Sequence, residues 1–228
     1  DNLAGQSSSQ NGYTSGGFNV SKKNIIDKFP FAADANATDV GDLSLTRDNL
    51  AGQSSGSNGY SSGGDSPPYT NTIDKFPFST DANATDVGDL SQVRIQVAGQ
   101  SSSQNGYTSG GLAPPYVNTI DKFPFSTDAN ATDVGDLTVV RNAAAGQSSD
   151  TNGYSSGGFS PPRVNTIDKF PFAADANATD VGDLNLTRVV AAGQSSTDTG
   201  YTSGGSIASP PIVNNIDKFS FSSDGNAT

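Results

Sequence analysis

The chain repeats itself every 47 residues, and this period limits its possible folds more than any other feature. The Gly of the Ala-Gly-Gln-Ser-Ser stretch falls at Gly5, Gly52, Gly99, Gly146 and Gly193, always 47 residues apart. The Ile of Ile-Asp-Lys-Phe falls at Ile26, Ile73, Ile120, Ile167 and Ile216, where two extra loop residues lengthen the last interval to 49. A fixed period in this range marks an array in which no copy can bury its apolar surface alone, so neighbours must stack. Five full copies with the insertion come to 237 residues against the 228 present, so the fifth copy stops before the segment equivalent to 39–47.

Within each copy, turn residues separate four short strand candidates. In the third copy they span 95–102, 106–111, 118–125 and 131–140, with Ser-Gln-Asn-Gly and Ser-Thr-Asp-Ala-Asn as the two hairpin turns. Composition supports strands over helices. All acids are Asp, with no Glu or Met, while the apolar residues are mostly Val, Ile, Phe and Tyr. Four strands in a copy of this size make one propeller blade. The expectation is a single all-β domain over residues 1–228: a five-bladed β-propeller with four short antiparallel strands per blade. Its blades span 1–47, 48–94, 95–141, 142–188 and 189–228, and the last lacks part of its outer strand. Because only an outer strand is shortened, closure of the ring is expected to survive.

Five blades crowd their inner strands near the axis, and Ala-Gly-Gln-Ser-Ser meets that constraint with small residues. Phe29 and Phe31 alternate to one side of the third strand, as do Phe76/Phe78, Phe123/Phe125, Phe170/Phe172 and Phe219/Phe221. These ten rings, joined by Tyr13, Tyr60, Tyr107, Tyr154 and Tyr201, are the expected core between blades. Pro30 and its equivalents remove a ladder donor, so pairing should break there.

An inner strand, a Gly-Tyr pair, a Gly-Gly doublet, an aromatic third strand and a Gly-Asp-Leu run leading to Arg together resemble the kelch repeat. The doublets are Gly16-Gly17, Gly63-Gly64, Gly110-Gly111, Gly157-Gly158 and Gly204-Gly205, and the arginines are Arg47, Arg94, Arg141 and Arg188. The resemblance spans the chain and implies a propeller scaffold. The chain departs from that family in lacking a Trp in the fourth strand and in its small, polar inner strand. The uniformity of the copies also resembles tandem blade repeats encoded by tailed phages of marine bacteria, which implies an extracellular or virion-associated setting.

Two segments vary between copies while the rest stays nearly constant. One follows the Gly doublet (Phe-Asn-Val-Ser-Lys-Lys-Asn, Asp-Ser-Pro-Pro-Tyr-Thr-Asn and so on), and the other straddles the Arg. Up-and-down topology brings both to one face of the disc, with the constant acidic turn on the opposite face. Loops on a rigid scaffold commonly carry recognition, and Pro pairs lower the entropy such loops lose on binding. Lys22, Lys23, Tyr69, Tyr116, Phe159, Arg163 and Ile207 are therefore the candidate ligand-binding residues.

The constant turn Asp-Ala-Asn-Ala-Thr-Asp-Val-Gly-Asp admits two readings. Its short polar side chains bond nearby amides as a hairpin turn requires. Asp34, Asn36, Thr38 and Asp42 with their equivalents also offer alternating oxygens of a calcium loop, although Asp39 stands where that loop needs Gly. The five Asn-Ala-Thr triplets match a glycosylation acceptor, as any repeated turn of this wording would.

With no His and no Cys, the chain cannot build Ser–His or Cys–His nucleophile systems. A glycosidase needs one distinguished carboxylate pair, and here the Asp residues recur in every blade. No cofactor fingerprint occurs, so no cofactor is expected. A net charge of −11 repels phosphate backbones, and no apolar run approaches a membrane span. The expected function is a non-catalytic binding module of a virion or extracellular assembly. Its partner is a protein or glycan, without nucleic acid or membrane insertion, and other subunits of a larger assembly are further partners. The alternatives are a purely structural spacer or decoration protein and, further off, a glycoside-active enzyme.

Overall fold

The structure, a computed structural model, describes residues 2–207 and 212–228. The first blade runs Ala4–Ser7, Asn11–Ser15, Ile25–Pro30 and Thr38–Asp42. The second runs Ala51–Ser54, Asn58–Ser62, Thr72–Pro77 and Thr85–Asp89, and the third Ala98–Ser101, Asn105–Ser109, Thr119–Pro124 and Thr132–Asp136. The fourth runs Ala145–Ser148, Asn152–Ser156, Thr166–Pro171 and Thr179–Asp183. The fifth has three strands, Ala192–Ser195, Thr199–Ser203 and Ile216–Ser220. Strands neighbour one another in chain order and antiparallel throughout, so each blade is a meander and the whole is the expected five-bladed propeller. No helix occurs among the described residues.

The first strand of each blade lies innermost, against the first strand of the next. A Cβ on Gly52 would overlap the Gly5 carbonyl, and the same holds at Gly99, Gly146 and Gly193 against the glycine before each. Only a residue without a side chain allows this approach. Ser7 N–H then donates to Ser54 Oγ at 3.0 Å, and the bond recurs from Ser54 to Ser101, Ser101 to Ser148 and Ser148 to Ser195.

The fourth strands are shorter than expected. In the third blade the strand stops at Asp136 rather than reaching 140, after a bulge at Val134 between the Ile120↔Gly135 and Asp121↔Asp133 pairs. The chain leaves the sheet there because its next residues serve the neighbouring blade: Thr138 bonds Asp168, and Arg141 is buried beside it. The first strand likewise begins at Ala98, because Ile95 and Gln96 are used at the axial face. Third strands end at Pro30, Pro77, Pro124 and Pro171, but that of the fifth blade ends at the equivalent Ser220. The next residue still donates across, as Phe125 N–H does to the Gln104 carbonyl at 2.9 Å, so the expected break at the proline is corrected.

The apolar core lies between blades. Tyr60, Ile73 and Leu90 of the second blade enclose Phe123 and Ala131 of the third, with Val87 and Phe125 at the margin. Tyr60 stacks on Phe125 at 4.7 Å and tilts against Phe123 at 5.5 Å. Burying one such ring contributes about 1.5–3 kcal/mol. Equivalent clusters join the first blade to the second, the third to the fourth and the fourth to the fifth. The expected ten-ring core is therefore corrected to eight rings. Phe29 and Phe31 face the fifth blade across a seam that forms no such cluster, and Phe31 is 56 % exposed.

Polar locks follow the same count. Arg94, wholly buried, enters the third blade, where one Nη donates to the Gly110 and Thr119 carbonyls and the other to the Thr108 carbonyl and the Asp121 carboxylate. Arg47–Asp74, Arg141–Asp168 and Arg188–Asp217 repeat the pair at 2.8–2.9 Å. The planar fork explains why the residue is Arg and not Lys. Burial pushes the Arg94 guanidinium below its ordinary value, and Asp121 opposes that shift. Nearer the axis, Gln53 donates to Ser62 of its own blade and to the Tyr107 carbonyl and Thr108 of the next. Gln194 in the fifth blade reaches only its own Ser203. The expectation that the ring stays closed despite the shortened last strand is thus corrected: the inner strand Ala192–Ser195 is exposed, and a Cβ on Gly5 would meet nothing within 4 Å. In the other blades the segment after the outer strand carries the arginine that locks one blade into the next.

Candidate functional site

The residue second after each Arg sits at the axis on the face of the variable loops. Asn49, Gln96, Ala143 and Val190 occupy this position, with Asn2 as the first-blade equivalent, and all five have φ between 53° and 60°. Asn49 N–H donates to the Asn2 carbonyl, Gln96 to Asn49, Ala143 to Gln96 and Val190 to Ala143, at 2.8–3.0 Å. The left-handed conformation points each N–H around the ring instead of along a strand. For residues other than Gly, Asn and Asp it costs roughly 1–2 kcal/mol, which the ring bonds partly offset.

This ring borders a cavity of about 340 Å³, walled also by Leu3, Leu50, Val97 and Ala191. Its lining is two-sided. Asn2, Asn49 and Gln96 make one arc polar, with Asn49 Nδ2 donating to Asp48 and Gln96 Oε1 accepting from Asn142 Nδ2, whereas Ala143 and Val190 make the other arc apolar. Identical copies would give a fivefold-symmetric wall. The sequence differences fall where they break that symmetry.

The two variable segments do share a face. Isolated bridges Asp48↔Asp65, Ile95↔Leu112, Asn142↔Phe159 and Val189↔Ser206 tie each connector to the loop of the blade it enters. Lys22 reaches across to the second blade and pairs with Asp65 at 2.6 Å and Asp48 at 3.7 Å. Lys23 stays local, donating to Ser21. Tyr69 is held by a bridge to Asp65. Tyr116 and Phe159, from adjacent blades, meet edge to face at 5.6 Å, and Arg163 pairs with Phe159 through the backbone. Arg163 Nε is buried with no hydrogen-bond partner among the described residues. Ile207 is half-buried and borders 208–211, which lie outside the described residues. The Pro67–Pro68, Pro114–Pro115 and Pro161–Pro162 bonds at the loop tips are cis. The structure therefore joins Tyr116, Phe159 and Arg163 into one patch and leaves Lys22, Lys23, Tyr69 and Ile207 apart from it.

The acidic turns make contacts between blades on the other face. Lys28 pairs with Asp81, and Lys75–Asp128, Lys122–Asp175 and Lys169–Asp224 repeat the link. Asn83 Oδ1 accepts the Asp42 N–H, while Asp39 accepts from Gly41 in its own bulge. Of the side chains of the calcium reading, Asp34, Asn36, Thr38 and Asp42 with their equivalents, Asp81 is drawn to Lys28 and Asn83 to the Asp42 N–H, each in the blade before. Among the described residues no group of three or more acidic, His or Cys side chains gathers at one point.

Sequence reasoning missed the axial ring and both interblade locks. Asn2, Asn49, Gln96, Ala143 and Val190 carry a usable signal, being variable positions two residues before a constant Ala-Gly-Gln. No protein-family model matches the chain, and no curated protein matches it.

Proposed function

We propose that this protein is a non-catalytic, kelch-like recognition module whose axial cavity and surrounding loops bind a protein or glycan partner outside the cell or on a virion. One observation carries the reading: variation between near-identical copies concentrates on the cavity wall and the loops around it. Support also comes from the strained residues at the mouth, since conformations of this kind cluster at ligand sites. A polar arc of Asn2, Asn49 and Gln96 opposite an apolar arc suits a sugar ring or a peptide turn. The Tyr116–Phe159–Arg163 patch adds aromatic and cationic contact at the rim.

Glycan and protein arrays probed with the wild-type chain and with Gln96→Ala and Tyr69→Ala/Tyr116→Ala/Arg163→Ala variants test the proposal. The expected result is specific binding that falls at least about tenfold in the variants, as when central contacts of an interface are truncated. Binding indifferent to both variants would overturn it.

A further inference from the structure

The axial cavity has no ionisable residue in its wall. A carboxylate, phosphate or ammonium brought there would lose its water without gaining a counter-charge, so the part of a ligand that enters is neutral. Two amides of the wall are each half used. Asn49 Nδ2 donates to the Asp48 carboxylate at 3.0 Å, which fixes the orientation of that amide, because a carboxylate only accepts. Gln96 Oε1 accepts from Asn142 Nδ2. Asn49 Oδ1 and Gln96 Nε2 then have no hydrogen-bond partner among the described residues, yet neither atom is sealed from solvent. The two residues are neighbours around the ring, since Gln96 N–H donates to the Asn49 carbonyl at 2.8 Å. One open acceptor thus stands beside one open donor, and Leu50, Val97, Ala143 and Val190 make the surrounding wall apolar.

We infer that this pair receives the acetamido group of an N-acetylated amino sugar, which rests on the binding role proposed for the axial cavity and names its ligand class. An acetamido group is a secondary amide, with one N–H to give and one carbonyl that accepts. Its N–H donates to Asn49 Oδ1, Gln96 Nε2 donates to its carbonyl, and its methyl meets the apolar wall. Asn2, exposed on the same polar arc, is left for a ring hydroxyl. A hydroxyl in place of the acetamido group brings no methyl, and it satisfies one of the two open atoms while the other loses its water unpaired. A peptide offers the same amide but carries one at every residue. On the opposite arc Ala143, Ala144 and Val190 have no polar side-chain atom to pair with a continuing backbone, which would be buried there at a cost. A ligand with a single amide fits this wall, and a chain of amides does not.

Isothermal titration of the protein with the N-acetyl derivatives of glucosamine, galactosamine and mannosamine tests the inference, beside the parent hexoses, glucosamine and N-acetylalanine methylamide. At least one N-acetylhexosamine should bind, one per chain. Its parent hexose and glucosamine should bind at least about tenfold more weakly, as when a site's polar groups are left unpaired. Gln96→Glu keeps the acceptor that Asn142 needs and exchanges the open donor for an acceptor. This variant should melt like the wild type, lose at least about tenfold in affinity for the N-acetylhexosamine and change much less toward the parent hexose. The inference is overturned if no N-acetylhexosamine binds more tightly than its parent hexose, or if binding is indifferent to Gln96→Glu. Equal binding of N-acetylalanine methylamide would also overturn it and give the pair to a peptide amide. In each case the axial binding role survives if arrays still find a partner that is lost with Gln96→Ala, whereas array binding indifferent to Gln96→Ala removes both.

Discussion

Asp121 and Asp27 occupy the same position of the repeat and differ in what faces them. Asp121 is wholly buried, pairs with Arg94 Nη at 2.8 Å and accepts the Ser91 N–H at 2.9 Å. Asn in its place keeps the volume but leaves a buried guanidinium without its counter-charge, which costs about 3–5 kcal/mol. Asp27→Asn removes a charge with no partner and should change stability by less than about 0.5 kcal/mol. Urea unfolding of the two variants checks the contrast. Equal effects would mean that the Arg–Asp pair does not hold the blades together. The Arg of the repeat and the Asp of Ile-Asp-Lys-Phe are both plain in the sequence. Their partnership is not, because it joins residues 27 apart in one chain and belonging to different blades.

The inner strand shows the same contrast at the scale of an element. Gly52, Gly99, Gly146 and Gly193 each press on the carbonyl of the preceding inner glycine, whereas a Cβ on Gly5 meets nothing within 4 Å. Gly5→Ala should be nearly silent. Gly99→Ala should force the second and third blades apart and destabilise by roughly 1–3 kcal/mol, the range for overpacking. Thermal melts of the two variants decide it, and equal melting points would refute the close approach. The strands themselves were legible from turn chemistry and alternation. Their ends were not, because the fourth strand gives up its last residues to the neighbouring blade, a demand no local propensity expresses.

At the scale of the molecule, stability should be graded around the ring. Arrays of repeats hold together through nearest-neighbour interfaces. The middle blades have two complete interfaces each, while the first and fifth have one. The whole Ala192–Ser195 strand is exposed, whereas its equivalent Ala98–Ser101 alternates buried and half-buried. Native-state hydrogen exchange should therefore find the inner-strand amides of the third blade slowest and those of the fifth fastest. Uniform protection across the five inner strands would show a ring sealed at the seam.

By itself the sequence determined the number of blades, the strand order within them and the face on which variation collects. Those properties follow from a period, a turn code and a two-residue alternation, all of which are local. The tertiary structure alone decided that Arg locks onto Asp of the next blade and that left-handed residues ring an axial cavity. Each of these depends on residues of different copies meeting in space. Identical copies carry identical letters whether or not a neighbour is there to meet them.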